Sequence, residues 1–116
     1  PDYAVAYNAL GYSFADRNIH LEDARKYIEV ALSISPNNHY ILDSMGWLYF
    51  RLGKLDSALS FIQKAYDIQA DPEIAAHLSE ILWAQGKKKE ASDVLELSLQ
   101  SFPDNEVLKE TFKRLR

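Results

Sequence analysis

The stretch Asp43-Ser44-Met45-Gly46-Trp47-Leu48-Tyr49-Phe50-Arg51-Leu52-Gly53, continued by Lys54-Leu55-Asp56-Ser57-Ala58, reads as a helix, a glycine-stopped turn and the start of a second helix. Leu42, Met45, Tyr49 and Leu52 recur at the three- and four-residue spacing of one buried helical face. Gly46 lies inside that helix, where it costs ~1 kcal/mol relative to Ala, and a glycine kept there lets a second helix come close. Gly53 follows the last periodic residue, the position where a left-handed backbone favours Gly. Asp56 falls at a cap or first-turn position of the next helix, whose Ala58, Leu59, Ile62 and Ala65 share one face.

The same unit stands on both sides. Upstream, Leu10-Gly11 and Phe14 match Met45-Gly46 and Tyr49; downstream, Leu78-Ser79 and Leu82 take these places. In the second helices Ala24, Ile28 and Ala31 match Ala58, Ile62 and Ala65, then Ala91, Leu95 and Ser98. The offset is 34 residues from Ala24 to Ala58 and 33 from Ala58 to Ala91, a period that marks a solenoid.

On these residues the chain resembles the tetratricopeptide repeat (TPR) family, whose unit has a Trp-like position, Leu-Gly three residues on, Tyr, Ala-x3-Phe and a closing Pro. The resemblance covers about the whole chain. Leu42 holds the Trp-like place, and Pro36 and Pro103 close the first and third repeats, whereas Ala70 replaces Pro in the second and Asp71-Pro72 follows. The turn 16–20 carries one extra residue, and the junction before Pro72 is one short. The resemblance implies an all-α, right-handed superhelix of three helix-turn-helix repeats, about 4–38, 39–71 and 72–105, closed by a capping helix over 106–116.

Read in order, the helices fall at about 3–16, 21–34, 38–52, 55–69, 72–86 and 88–100. A seventh, over about 105–115, sets Val107, Leu108, Thr111, Phe112 and Leu115 against a charged opposite side, as expected for a helix that closes a repeat stack. The N-terminal side has no such cap and the chain starts at Pro1 without Met, so the expectation is the C-terminal piece of a longer array.

At 116 residues the chain is one domain. Its 47% hydrophobic and 26% charged residues are the balance of a globular chain rather than a disordered one. Without cysteine it has neither disulfides nor thiolate chemistry. A net charge of −4 argues against nucleic acid as partner, because phosphate neutralisation needs a basic face. No apolar run is long enough to span a membrane, so this fragment does not insert, and no signal peptide is visible. The run Lys87-Lys88-Lys89-Glu90 reads as a solvated turn.

Catalysis needs a nucleophile–base pair, a metal shell or a matched acid and base. His20, His39 and His77 fall in a turn, at a helix start and in mid-helix. His77 and Glu80, with Glu73 one turn earlier, offer ligand types at helical spacing but not a closed set, and they read as a polar helix face. No serine sits in a Gly-x-Ser-x-Gly elbow and no glycine motif cradles phosphate. The expectation is no enzyme, no catalytic residue, no metal and no cofactor.

Recognition by surface remains. The TPR resemblance implies that the first helices of successive repeats line a concave groove. Carried onto this sequence, the groove side shows Val5, Asn8, Tyr12 and Ala15, then Tyr40, Asp43, Trp47, Phe50 and Arg51, then Glu73, Ala76, His77, Glu80 and Trp83. The middle set advances as a second face beside the Leu42/Met45/Tyr49 stripe. This leads to the expectation that Trp47 lies outside the core and that Tyr12, Trp47, Phe50 and Trp83 form an aromatic docking track, with Asp43, Arg51, His77 and Glu80 setting its polarity. The opposing expectation is that both tryptophans pack on neighbouring helices. The family's clamp for acidic chaperone tails uses Lys, Asn and Arg, and here those places hold Asn8, Tyr12 and Ser44. An extended or helical peptide with apolar anchors is the better fit.

A narrower resemblance is carried by Asn8-Ala9-Leu10-Gly11-Tyr12, Ala15-Asp16-Arg17, Ile41 to Trp47 and Ala75 to Trp83. These stretches look like the C-terminal repeats of long proteobacterial TPR proteins. Some of those are outer-membrane lipoproteins that act as adaptors for a periplasmic C-terminal-processing protease and its cell-wall hydrolase substrates. It implies a non-catalytic adaptor or scaffold on the periplasmic face of the outer membrane, with a protein or peptide partner in the groove. The alternative is a structural spacer or self-association segment of a longer array. Partner identity, compartment and oligomeric state are not written in the residues themselves.

Overall fold

A computed structural model describes residues 3–115, and among them every regular element is a helix. The helices are α1 (Tyr3–Asp16), α2 (Leu21–Ile34), α3 (His39–Arg51), α4 (Leu55–Ile68), α5 (Pro72–Ala84), α6 (Lys88–Ser101) and α7 (Glu106–Arg114). Each lies within two residues of the bounds read from the sequence.

Local chemistry sets the helix ends. The Asn38 side chain accepts hydrogen bonds from the Tyr40 and Ile41 amides, and Asp71 does the same for Glu73 ahead of Pro72 at the first turn. Such caps satisfy amides that have no partner inside the helix. Asn105 caps α7 through the Leu108 amide. Gly53 and Gly86 end α3 and α5 with φ of 78° and 83°, the left-handed region where any Cβ is strained. The longer first turn makes the same reversal without glycine, through Asn18 and His20 at φ 56° and 48°.

Each helix pair closes on a seam of small residues. A Cβ on Gly11 would meet Ile28 Cγ1 at 2.5 Å and the Ala24 carbonyl oxygen at 3.0 Å. On Gly46 it would meet the Ile62 amide nitrogen at 3.1 Å and the Ala58 carbonyl oxygen at 3.2 Å. The third repeat carries Ser79 at this place, fully buried, its hydroxyl donating back to the Ala75 carbonyl at 2.8 Å. Opposite, Ala24, Ile28 and Ala31, then Ala58, Ile62 and Ala65, and finally Ala91, Leu95 and Ser98 are all buried. The alanines let the helices approach, and the branched residue between them fills the gap.

The stack is curved. Helices α1, α3 and α5 touch in succession, whereas among the described residues α2 does not reach α4 and α4 does not reach α6. The first-helix side is therefore the inside of the curve. Helix α3 sits between the first and third repeats and against α4, and all of its residues from Ile41 to Leu48 are buried. At the C-terminal end α7 packs Leu108 into the cluster of Ala75, Ala76 and Leu95, with Phe112 and Leu115 alongside. Val107 does not belong to that face as expected: it is 45% exposed, because the one-sided contact with α5 and α6 is made by Leu108, Thr111, Phe112 and Leu115.

Candidate partner-binding groove

The inner side of the curve carries a pocket of about 360 Å³ between α1 and α3, bounded at one end by α5. Val5, Asn8, Ala9 and Tyr12 form the α1 wall; Asn38, Tyr40, Ile41, Asp43 and Ser44 form the α3 wall; Glu73 stands at the end. Tyr40 projects with about half of its surface (53%) open to solvent. The Tyr12 hydroxyl reaches across α3 to the third repeat, 3.5 Å from both Glu73 Oε1 and His77 Nε2. At that distance these are loose polar contacts. Burial first, then the charges of Glu73, Asp16 and Asp43, hold the Tyr12 phenol well above its ordinary pKa.

Beneath the pocket lies a buried polar pair. His77 Nδ1 donates to Asp43 Oδ1 at 2.8 Å, with both side chains almost entirely out of solvent. Burial pulls the His77 pKa down, but the charge and hydrogen bond of Asp43, helped by Glu73 and Glu80, outweigh it and leave the pKa raised. The pair ties α3 to α5. It is a strut between repeats rather than an open contact surface.

Trp47 completes that strut and corrects the expectation that it stands free. Its ring is only 4% exposed, stacked on His77 with centroids 4.0 Å apart and on Phe50 at 4.8 Å. The Arg51 guanidinium lies 5.1 Å from the ring centroid, and its Nε and Nη2 donate to the carbonyl oxygens of Ala15 and Asp16 at 3.1 and 2.8 Å. Arg51 thus fastens α3 to the end of α1. The apparent surplus of aromatic surface on α3 is used by packing between repeats, since this helix has neighbours on three sides. The continuous aromatic track is therefore broken at Trp47.

The remaining predicted groove residues divide in two. Asn8, Tyr12 and Tyr40 line the pocket, as does the upper edge of Asp43. Phe50 is half-buried between two core clusters and is not a free anchor, and Glu80 is held by Arg114 of α7 at 2.6 Å and is not free to set partner polarity. Trp83 keeps an open edge but lies a repeat away from the pocket, with Lys88 Nζ 5.0 Å from its ring centroid. His77, Glu80 and Glu73 do not converge: His77 is committed to Asp43, Glu80 to Arg114 and Glu73 to the Tyr12 side. Among the described residues no three His, Cys, Asp or Glu side chains come together as a metal shell. Sequence reading missed Asn38 as a pocket residue; its only signal was its place as the cap directly before the first turn that carries Tyr40.

Among the described residues, three helix pairs stacked on small-residue seams, with a seventh helix against the last pair and the first helices inside the curve, define an α-solenoid. The chain is a tetratricopeptide-repeat domain. A family model described as tetratricopeptide repeat matches residues 40–72. The chain is 45% identical over 115 residues to a TPR repeat-containing protein of Pseudomonas aeruginosa, PA4667, and the match spans 99% of this chain but only 20% of that relative. Among solved structures, TTC0263, a thermophilic TPR protein of Thermus thermophilus, superposes with a TM-score of 0.86 at 23% identity, covering 99% of this chain and 64% of that one. The first TPR of Spaghetti (RPAP3), bound to the HSP90 peptide SRMEEVD, superposes with a TM-score of 0.84 at 18% identity over 98% and 93% of the two chains.

Proposed function

We propose that this domain is a non-catalytic protein-interaction module that holds an extended segment of a partner on its inner face, at the Asn8–Tyr12–Tyr40 pocket. The observation that carries the reading is Tyr40. A large aromatic ring left half open beside a preformed, largely apolar recess is the arrangement that binding hot spots use. A structural relative with the same fold is bound to a peptide, which supports peptide binding by a domain of this shape. In this reading the module acts as an adaptor, in the protease-adaptor setting that the narrower sequence resemblance implies.

A spacer reading is favoured by one specific observation, the burial of Trp47 and the engagement of Arg51 and Glu80 in contacts between helices. The two readings differ at Tyr40. A photo-crosslinking residue placed there in the parent organism should capture a discrete partner, while the same residue at Leu97, exposed on α6, should not. Equal labelling at both positions, or none at Tyr40, rejects the groove and leaves the spacer. Capture of a second copy of the chain identifies self-association.

A further inference from the structure

We infer that the inner-face pocket selects an arginine side chain of the partner segment, with the guanidinium seated between the Tyr12 and Tyr40 rings against the Glu73 carboxylate. This deepens the groove reading and rests on it. Three observations meet in the same recess. No Lys or Arg is among the residues that line it, while Asp43 and Glu73 both do. Asp43 is already engaged by His77, so Glu73 sets the sign of the pocket. Glu73 forms no ion pair among the described residues, and its one polar side-chain contact is the 3.5 Å approach of the Tyr12 hydroxyl.

A guanidinium answers each of these features. Its planar face stacks on aromatic rings, its fork of N–H groups pairs with both oxygens of a carboxylate, and it sheds water more readily than an ammonium. Burial is the main cause of the raised Tyr12 pKa, and the nearby charges of Glu73, Asp16 and Asp43 add to it. The same features repel an acidic tail. The pocket is opposite in charge to what a peptide such as SRMEEVD needs for its glutamates and aspartate, and the absence of a lysine clamp at Asn8, Tyr12 and Ser44 agrees with that.

The test uses the full 116-residue chain and three fluorescent pools of short peptides with randomised flanks and Arg, citrulline or Glu fixed at the centre. Citrulline keeps the shape of arginine and removes the charge. At low salt the Arg pool should bind about tenfold more tightly than the citrulline pool, with the Glu pool weakest. Glu73→Gln should shrink the Arg preference to about twofold or less, Glu73→Lys should turn it toward the Glu pool, and Tyr40→Ala should weaken the Arg pool several-fold. Circular dichroism of each variant should match the parent, because Glu73 and Tyr40 are exposed. Equal binding of the Arg and citrulline pools, both lost in Tyr40→Ala, overturns the arginine inference and leaves the groove standing. Tightest binding of the Glu pool overturns it as well. Failure of every pool to bind the parent chain removes both the inference and the groove reading.

Discussion

Replacing Trp47 by alanine should damage the fold rather than a docking surface. The ring is 4% exposed and lies between His77 at 4.0 Å and Phe50 at 4.8 Å, with Arg51 5.1 Å from its centroid. Truncating a buried Trp to Ala costs about 3–5 kcal/mol through lost transfer energy and the cavity left behind. The cation–π contact adds about 0.5–2 kcal/mol. The cavity would also open beside the Asp43–His77 pair, admitting water to a hydrogen bond that is dry in the parent. Against a total stability of about 5–15 kcal/mol this is roughly a quarter or more of the margin. The midpoint should fall by roughly 12 °C or more. Urea and thermal melts followed by near-ultraviolet circular dichroism measure it directly. Tyr40→Ala is the matched control, an aromatic of the same helix facing solvent, and should shift stability by about 0.5 kcal/mol or less. A Trp47→Ala protein that melts at the midpoint of the parent would refute the packing of repeats on this ring. Equal losses in both variants would show that α3 has no free face.

The pH dependence of stability should carry the signature of His77. Its folded pKa is raised above the ordinary 6.5, so its contribution is fully present below about pH 6.5 and is lost as pH rises through the folded value. Melts between about pH 6 and 9 should show a decline that Asp43→Asn abolishes, and a flat profile in the parent would show that the pair contributes no proton linkage. At the seam of the second repeat, Gly46→Leu should cost ~1–3 kcal/mol or more through overpacking, because its Cβ meets the backbone of α4, which cannot rotate away as a side-chain tip can. Ser79→Gly at the equivalent place should lose at most ~1 kcal/mol of helix propensity, and a Gly46→Leu melt equal to the parent would mean that the helices are not in the register described.

The helices and their order are local properties, and the chain states them openly. Asn38, Asp71 and Asn105 cap, Gly53 and Gly86 stop, and the small-residue seams recur at 33 and 34 residues, so each repeat is specified by contacts within about its own length. The inner face is a different kind of object. Its facing helices lie a repeat or more apart, and residues 34 to 65 positions away decide what each side chain touches. Trp47 and Tyr40 both read as aromatic positions outside the Leu42/Met45/Tyr49 stripe. One became core because His77, Phe50 and Arg51 converge on it, and the other stayed open because the pocket separates it from α1 at Val5 and Asn8. Periodicity along one helix records which residues share a face, but not how many neighbours that helix acquires. For α3, enclosed between two repeats, only the stacking of the whole array settled which aromatic holds the fold and which stays open to solvent.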